Sequence, residues 1–360
     1  MRAFVATALA VLLLTGCERV PEAIVGCTPV GELSPVCGFS RPEDLELLPD
    51  GRTLVISQMG SLDGAMPGSL VLFDTRSETI TRLPQFTSAP GEHWGSSECD
   101  TPPGAAFSPH GIDLSTRGDG RIQLLAVNHG GRESVEIFEV ATGTAGYQLE
   151  WRGCVIAPED AYLNDVVALP AGGMLMTYMY PRNSVQIGPF SVDLLKAVLG
   201  FDTGYVLRWD SSGFAKVGGT EAPFPNGIQL SPDGDFIYLN AYLAGEVRKI
   251  AYPGGELVAK AVVEGPDNGQ WDAEGRLLVA SHTGGLREIA SCFEIREGAC
   301  PAGFEIVAVD PLSMEKELVF RHRGAPMGAA TVAQQVGDSL YLGSFVGDRI
   351  LRVPLKESAR

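Results

Sequence analysis

Apolar and polar residues alternate along most of this chain in short runs with period two, the pattern of half-buried β-strands. One recurring unit has a polar leading residue, an alternating strand, a turn such as Pro-Asp-Gly and a second, more apolar strand. It occurs six times, at residues 43–57, 110–128, 164–178, 226–240, 267–281 and 327–344. Further candidate strands lie between the units, at Ser69–Asp74, Ser134–Glu139, Tyr205–Asp210, Glu246–Ala251 and Glu305–Asp310. We therefore predict an all-β fold, a six-bladed β-propeller around a central channel, over residues 39–360.

The segment Phe107–Val140 predicts a β-hairpin with a histidine at each outer end. Its runs Gly111–Ser115 and Arg121–Asn128 flank a turn of sequence Thr-Arg-Gly-Asp-Gly. In an antiparallel hairpin, the residue that enters the first strand lies beside the residue that leaves the second. We therefore expect His110 and His129 to be neighbours.

The leading residues of successive units should ring the mouth of one tunnel, because rotation about the propeller axis relates equivalent positions. These residues are Glu43, His110, Asn164, Asn226 and Asp267 or Asn268. Converging carboxylate and amide oxygens suit Ca²⁺ and are poor ligands for zinc. An isolated Asn-Gly or His-Gly pair would be ordinary turn chemistry, so the prediction depends on the recurrence of these residues at one position.

Two of the leading residues are followed by an aspartate, in Glu43-Asp44 and Asn164-Asp165. Neighbours in an extended strand point to opposite sides, so the aspartates would face the interior and form a second, closed oxygen site. Isolated buried carboxylates are very costly, which favours a bound cation there. The alternative is that both aspartates only accept hydrogen bonds from loop amides.

Composition and charge narrow the class of partner. The chain has 360 residues, 45% of them hydrophobic, with 44 glycines and 24 prolines, which favours a turn-rich β architecture. The formal net charge of -17 argues against a nucleic-acid partner, and an acidic surface of this size reflects either cation binding or simple solvation. The small-molecule substrate follows from the family resemblance given below. The oligomeric state stays open.

The first residues predict export. Arg2 precedes an apolar stretch that is too short to span a bilayer, so we predict a signal peptide over 1–16. The sequence Leu-Thr-Gly-Cys that ends at Cys17 resembles the bacterial lipobox, in which the cysteine is lipidated; the alternative is an ordinary cleavage site and a chance cysteine. Residues 17–38 would form a linker and first strand. We expect a bacterial cell-envelope lipoprotein, attached to the membrane by its lipid anchor only.

Six cysteines remain after Cys17, and an even number in an exported protein predicts disulfides. They are Cys27, Cys37, Cys99, Cys154, Cys292 and Cys300. Proximity in sequence favours Cys27 with Cys37 and Cys292 with Cys300, which would leave Cys99 for Cys154. This is one of fifteen possible pairings.

The chain resembles the paraoxonase (arylesterase) family of six-bladed propeller lactonases over nearly all of the mature sequence. Seven strings carry the resemblance by their order and spacing: PEDLELLPDG, FSPHGID, LLAVNHGGRESVEIFEV, YLNDVVALP, FPNGIQLSPDGDFIYL, GPDNGQWDAEGRLLVASH and GAATVAQQVGDSLYLGS. The Val-Asn-His strand end distinguishes it from the wider gluconolactonase-like propellers.

The resemblance implies a hydrolase with two bound Ca²⁺ ions that opens lactones or cleaves aryl esters. It implies a catalytic ion held by Glu43, Asn164, Asn226, Asp267 and Asn268. It implies a structural ion held by Asp44, Asp165 and the backbone carbonyl of Ile112. It also implies a catalytic dyad of His110 and His129 and a pocket-lining role for His282.

An exposed Ca²⁺ would act as a Lewis acid on the substrate carbonyl while a general base activates water. The base is either His110, oriented by His129, or a metal-bound carboxylate, Glu43 or Asp267. The absence of a Gly-x-Ser-x-Gly motif argues against a serine nucleophile. Two other functions are considered: a non-catalytic, calcium-stabilised propeller that binds a ligand or partner, and a sugar-lactone hydrolase of the gluconolactonase type.

Three departures from the family pattern are visible. Arg352 falls near the position of the C-terminal cysteine that in the family joins the two chain ends. The sequence around Gly245 lacks the pocket histidine of vertebrate members, and Gly130 replaces the proline that follows the second dyad histidine. These departures bear on ring closure and substrate range.

Overall fold

The computed structural model describes residues 22–60, 66–83, 86, 91–143, 146–187 and 190–355. Within these residues the chain forms six four-stranded antiparallel sheets, the blades of a β-propeller. The innermost strand of each blade contacts the innermost strands of the two neighbouring blades, so the six close a ring around a tunnel. The predicted six-bladed fold is confirmed.

The strands are numbered in chain order. β1 (Ser34–Cys37) belongs to the last blade. Blade 1 contains β2 (Pro42–Leu47), β3 (Thr53–Gln58), β4 (Ser69–Asp74) and β5 (Thr79–Arg82). Blade 2 contains β6 (Pro109–Thr116), β7 (Ile122–Asn128), β8 (Ser134–Gly143) and β9 (Gly146–Ile156). Blade 3 contains β10 (Leu163–Ala168), β11 (Met174–Tyr178), β14 (Tyr205–Asp210) and β15 (Gly213–Lys216), with the short strands β12 (Gln186–Ile187) and β13 (Phe190–Ser191) and the helix α1 (Val192–Val198) inserted.

The second half of the ring repeats this arrangement. Blade 4 contains β16 (Pro225–Leu230), β17 (Phe236–Ala241), β18 (Glu246–Ala251) and β19 (Leu257–Val262), with a 3-10 turn over Tyr242–Ala244. Blade 5 contains β20 (Pro266–Trp271), β21 (Leu277–His282), β22 (Phe304–Val309) and β23 (Lys316–His322), with the helix α2 (Gly285–Cys292) between its second and third strands. Blade 6 contains β24 (Ala330–Val336), β25 (Ser339–Ser344) and β26 (Arg349–Pro354) and is completed by β1.

The hydrophobic core lies between adjacent blades. Val135 and Ile137 of β8, for example, pack with Leu163 of β10 and Met176 of β11, and all four side chains are buried. Burial of each such side chain contributes about 1.5–3 kcal/mol. The alternating strand pattern supplies one apolar face per blade, and the next blade covers it.

Every inner strand contains a β-bulge near its start. The register of the ladder shifts between Pro42 and Asp44, Pro109 and Ile112, Leu163 and Val166, Pro225 and Ile228, Pro266 and Gly269, and Ala330 and Val332. A bulge leaves one residue unpaired and redirects its side chain. All of the predicted leading residues lie within or beside these bulges, at the same end of the tunnel.

A left-handed residue precedes four of the six inner strands. Arg41, Phe224 and Ala329 have φ values of 50°, 56° and 51°, and Gly265 has 47°. Non-glycine residues adopt this conformation at a cost of about 1–3 kcal/mol, and they cluster at functional sites. In three blades, therefore, the turn that leads into the tunnel mouth holds a non-glycine residue in a strained backbone conformation at the equivalent position.

Disulfides and strand pairing secure the chain ends. The bonds Cys27–Cys37, Cys99–Cys154 and Cys292–Cys300 are present, which confirms the favoured pairing. β1 pairs with β26 over four residues, so the N-terminal strand completes the last blade. The predicted signal peptide and Cys17 lie outside the described residues. In the described part of the chain, both helices are too short to cross a bilayer.

Candidate active site

The side chains of the predicted metal ligands are buried at the tunnel mouth. Four of their oxygens have no hydrogen-bond partner among the described residues, although each is shielded from solvent: Glu43 Oε2, Asn164 Oδ1, Asn226 Oδ1 and Asn268 Oδ1. A buried polar atom without a partner costs about 1–3 kcal/mol. Four such oxygens, contributed by blades 1, 3, 4 and 5, form the donor set of an oxygen-preferring divalent cation, and the residues fit one.

The electrostatics of the site also favour a cation. Burial, reinforced by the carboxylates of Asp44 and Asp267, raises the pKa of Glu43 well above its usual range. Burial raises the pKa of Asp267 to about 8, against a lowering hydrogen bond from Asn226, and that of Asp44 to about 7. Buried carboxylates that repel one another are stabilised in the ionised form by a shared positive charge.

Glycines let the neighbouring blades approach this site. A Cβ atom on Gly111 would lie 2.7 Å from the carbonyl oxygen of Asn164, and one on Gly227 would lie 2.8 Å from Cα of Asn268. The His-Gly and Asn-Gly pairs are therefore neither loops nor ordinary turns. Each glycine leaves space for the two polar residues contributed by the next blade.

Asp44 and Asp165 lie at the predicted closed site but are fully hydrogen-bonded. Asp44 accepts from the amides of Leu45 (2.9 Å) and Ile112 (2.8 Å), the latter on the inner strand of blade 2. Asp165 accepts from Val166 and Ile228 in the same way, each at 2.8 Å. Strict alternation does not apply here, because both aspartates lie at bulges. Ile112 lies beside Asp44, and its backbone amide donates a hydrogen bond to the Asp44 carboxylate.

The two histidines form a hydrogen-bonded pair, as the hairpin predicted. Nδ1 of His110 lies 2.9 Å from Nε2 of His129, and Nε2 of His110 lies 3.7 Å from Oε1 of Glu43. Burial, reinforced by His129, lowers the pKa of His110 well below its usual value. His110 is therefore a neutral base that faces the donor set.

The carboxylate of Glu133 contacts the second histidine of this pair, a role that the sequence did not indicate. Both of its carboxylate oxygens lie 3.0 Å from Nδ1 of His129. It also accepts hydrogen bonds from Arg182 Nη1 (2.9 Å) and from the amide of Leu163 (2.8 Å). The only sequence signal is its separation of four residues from His129, which carries no meaning outside a helix.

His282 lies beside a predicted ligand. Its Nδ1 lies 2.9 Å from the hydroxyl of Tyr242, and its buried Nε2 lies 3.6 Å from Oδ2 of Asp267 without a hydrogen-bond partner in the described residues. Burial lowers its pKa to about 4. Tyr242 comes from the segment that lacks the family's histidine, so the tyrosine hydroxyl occupies this part of the site.

Successive aromatic rings form an arc around the mouth, which the sequence pattern did not reveal. We call this the aromatic arc: His129, Tyr162, Tyr180, Phe224, Tyr242, His282 and Phe345. Neighbouring ring centroids lie between 4.8 and 5.8 Å apart. Their ring faces and edges offer apolar surface, and the tyrosine hydroxyls and histidine nitrogens add polar groups at its margin.

Comparison with known proteins identifies the family of this chain. A family model described as Arylesterase matches residues 40–351. Serum paraoxonase/arylesterase 1 of Homo sapiens is 25% identical over 324 residues, covering 84% of this chain and 82% of that protein. The Rattus norvegicus protein of the same name is 24% identical over 348 residues, covering 91% and 88%.

Solved structures share the fold at low identity. A luciferin-regenerating enzyme superposes with a TM-score of 0.51 at 14% identity, covering 89% of this chain and 92% of that one. A gluconolactonase from Xanthomonas campestris gives 0.50 at 16%, covering 94% and 96%. With the family model spanning almost the whole propeller, this chain belongs to the arylesterase family.

Proposed function

We propose that this protein is a calcium-dependent hydrolase that opens lactones and cleaves aryl esters at the tunnel mouth. The observation that carries the proposal is the set of four buried oxygens without partners among the described residues, on Glu43, Asn164, Asn226 and Asn268, next to a hydrogen-bonded histidine pair. Membership in the arylesterase family supports hydrolysis in general. The carboxylate of Asp267 completes the proposed catalytic Ca²⁺ site.

A bound Ca²⁺ would polarise the substrate carbonyl and stabilise the oxyanion that forms as water adds. His110 would accept the water proton at Nε2, and His129 would hold the ring in place. The rival base is a carboxylate, Glu43 or Asp267. A histidine that is neutral at physiological pH favours His110, because a base must be unprotonated before it acts.

Asp44, Asp165 and the Ile112 carbonyl are proposed to hold a second, structural Ca²⁺. Support comes from the charge: burial and the carboxylate of Asp44 raise the pKa of Asp165 well above its usual range. The hydrogen bonds from four backbone amides are compatible with a cation on the remaining lone pairs, because each carboxylate oxygen has two.

The aromatic arc favours lactones and esters with apolar substituents over sugar lactones. Its ring faces suit apolar substituents, and its polar groups are limited to the hydroxyls of Tyr162, Tyr180 and Tyr242 and the nitrogens of the two histidines, which cannot partner every hydroxyl of a polyol. The sugar-lactone alternative predicts polar side chains where Phe224 and Phe345 lie. The non-catalytic alternative gives no reason for a hydrogen-bonded histidine pair at the ion site.

We also propose export, with Cys17 as the lipidated residue of a cell-envelope protein. The three disulfides support an oxidising compartment. Mass spectrometry of the protein purified from a bacterial membrane fraction tests the anchor. An unmodified N-terminus at another residue would exclude it.

The activity is tested with purified protein lacking residues 1–17, assayed on an aliphatic lactone, phenyl acetate and a sugar lactone. We expect hydrolysis of the first two, loss of activity after removal of Ca²⁺ and recovery when Ca²⁺ is restored. Folded, Ca²⁺-replete protein that hydrolyses none of them would favour the non-catalytic alternative. Preference for the sugar lactone would favour the gluconolactonase-like one.

A further inference from the structure

We propose that Glu133, anchored by Arg182, is a positioning residue that fixes the tautomers of both histidines and so exposes the Nε2 lone pair of His110. The inference rests on the proposed function for its catalytic consequence only. The tautomers themselves are a property of the resting protein and are tested separately below.

The contacts of Glu133 make its carboxyl group a hydrogen-bond acceptor. The Leu163 amide donates to Oε1 and the Arg182 guanidinium donates to Oε2. Both of these groups are donors in every state, and Arg182 adds a positive charge beside the carboxylate. Glu133 is only 7% exposed, so water does not compete for these positions. The third neighbour, Nδ1 of His129, must therefore donate as well.

This donor then determines which nitrogen donates and which accepts in the hydrogen bond between the two histidines. With its proton on Nδ1, neutral His129 has a lone pair on Nε2 and accepts from Nδ1 of His110 at 2.9 Å. Neutral His110 then has its lone pair on Nε2, the nitrogen that lies 3.7 Å from Glu43 Oε1 at the tunnel mouth. Glu133 thus determines, through two rings, which nitrogen faces the site.

In the proposed reaction, one O–H bond of water breaks and its proton moves to Nε2 of His110, while the oxygen forms a bond to the carbonyl carbon and the C=O π pair moves to the carbonyl oxygen. The resulting positive charge is delocalised over His110 and, through the hydrogen bond, is stabilised by the anion of Glu133 behind His129. The C=O bond then re-forms as the C–O bond to the alkoxide or phenolate breaks, and the proton on His110 returns to that leaving group. No oxidant or co-reactant is needed. Glu133 itself touches neither water nor substrate.

Glu133→Gln inverts this arrangement. In this variant the Leu163 amide keeps the oxygen in the Oε1 position, so the NH₂ group takes the Oε2 position, where it gives up the hydrogen bond from Arg182 and donates to Nδ1 of His129, 3.0 Å away. His129 must then carry its proton on Nε2 and donate to His110, whose own proton moves to Nε2. The variant keeps the shape of the site but removes the lone pair from the nitrogen that faces the tunnel.

The direct test is ¹⁵N NMR of histidine-labelled protein, which has five histidines to assign. We expect His110 and His129 both to carry their proton on Nδ1 in the parent protein at neutral pH, and both on Nε2 in Glu133→Gln. Parent spectra with the proton on Nε2 of either residue would overturn the proposal, whether or not the protein hydrolyses any ester.

The kinetic test is a double-mutant cycle with Glu133→Gln and His110→Gln, assayed on phenyl acetate or, failing turnover of that ester, an aliphatic lactone. We expect Glu133→Gln to lower kcat about 100-fold with KM within about twofold, and to have less than a twofold effect once His110 is replaced. Equal effects in both backgrounds would show that Glu133 acts on folding or elsewhere. A near-normal rate for His110→Gln would instead remove His110 as the base and leave the NMR result standing.

Two further variants control for stability. Glu136→Gln removes a neighbouring buried carboxylate, which bonds Arg132 and Trp151 and has no described contact with either histidine. It should leave both tautomers unchanged. Arg182→Met removes the exposed anchor and keeps Glu133, and it should lower kcat less than Glu133→Gln does. If Glu133→Gln fails to fold, the spectra of the parent protein carry the test, because a proton on Nε2 of either histidine would still overturn the proposal.

Discussion

At the residue scale, the tunnel mouth contains acidic side chains whose burial disfavours the ionised form. Glu43, Asp44 and Asp267 are buried, and their pKa values are raised by burial and by one another. An acid whose pKa is higher in the folded than in the unfolded chain binds more protons when folded. Stability is then lost as pH rises from the unfolded value to the folded one.

This fall in stability with rising pH gives a prediction for protein from which the metal has been removed. The histidines oppose this trend at low pH, because burial lowers the pKa of His110 and of His282 below the ordinary value of about 6.5, but one pH unit above that value both are almost entirely neutral in folded and unfolded chains. Between about pH 7 and pH 8 the buried carboxylates lose protons in the folded chain, so we expect the Tm of stripped protein to fall. Asp44, at about 7, and Asp267, at about 8, define this window.

Saturating Ca²⁺ should reverse the trend, so the difference in Tm between loaded and stripped protein should widen with pH. Differential scanning calorimetry at several pH values measures both curves. A stripped protein whose Tm is flat across the window would mean that the carboxylates are already compensated without a cation.

Part of the candidate site was predictable from the identity and position of residues in the sequence alone. Glu43, Asn164 and Asn226 were predicted because each leads a recurring unit, and their oxygens lie together at the tunnel mouth. Glu133 and Thr331 were not predicted. Thr331 lies in the blade without a polar leading residue and donates a 2.6 Å hydrogen bond to the Glu43 carbonyl. Such contacts depend on which loop crosses which strand, which periodicity does not contain.

At the element scale, the bulge in each inner strand explains both what the sequence indicated and what it missed. Alternation predicted the strands within a few residues. It did not predict that each inner strand shifts its pairing register near its start, where the proposed metal ligands lie. Because of that shift, Asp44 and Asp165 bond the inner strand of the next blade, to Ile112 and Ile228.

Gly111→Ala should test the close approach of blades 2 and 3. The new Cβ would lie 2.7 Å from the Asn164 carbonyl oxygen and 2.7 Å from Cα of Asp165, which are backbone atoms and cannot turn away. We expect a loss of about 1–3 kcal/mol in the free energy of unfolding, and weaker binding of Ca²⁺. Urea denaturation and calorimetric titration measure the two effects.

The matched control is Gly118→Ala, in the turn between β6 and β7 of the same blade. An added Cβ there meets nothing within 4 Å, so the change should be small and should even favour folding by restricting the unfolded chain. Equal destabilisation by the two substitutions would mean that the approach of the blades is not what Gly111 protects.

At the scale of the whole molecule, a propeller must hold its first and last blades together. Sequence comparison indicated that the family's disulfide between the chain ends is absent here, because Arg352 occupies the relevant region. The structure closes the ring by other means. β1 pairs with β26, from Ser34 opposite Arg352 to Cys37 opposite Arg349, and Cys27–Cys37 fixes the segment that precedes β1.

Arg349 is the side chain on which this closure depends. It is 1% exposed, and its guanidinium donates to the carbonyls of Gly26, Ile24 (3.0 Å) and Pro326 (3.2 Å) and to Asp348 Oδ1 (2.7 Å). One cation thus joins the N-terminal segment to the last blade. Its partners in the N-terminal segment, Gly26 and Ile24, are separated from it by 323 and 325 residues in sequence, so no local pattern could have indicated this role.

Arg349→Met should therefore open the ring at its closure. Methionine fills much of the same volume but removes the hydrogen bonds to the carbonyls of Gly26, Ile24 and Pro326. Pro326 is buried, and leaving its carbonyl without this donor costs about 1–3 kcal/mol. We expect a loss of about 1–3 kcal/mol in unfolding free energy, with faster amide exchange in β1 and β26 than in β16 or β20. Arg352→Met is the control, because Arg352 is partly exposed and meets Glu78 at 3.4 Å, a surface pair that contributes about 0–1 kcal/mol. Uniform acceleration of exchange in all blades would show that Arg349 supports overall stability without a special part in closure.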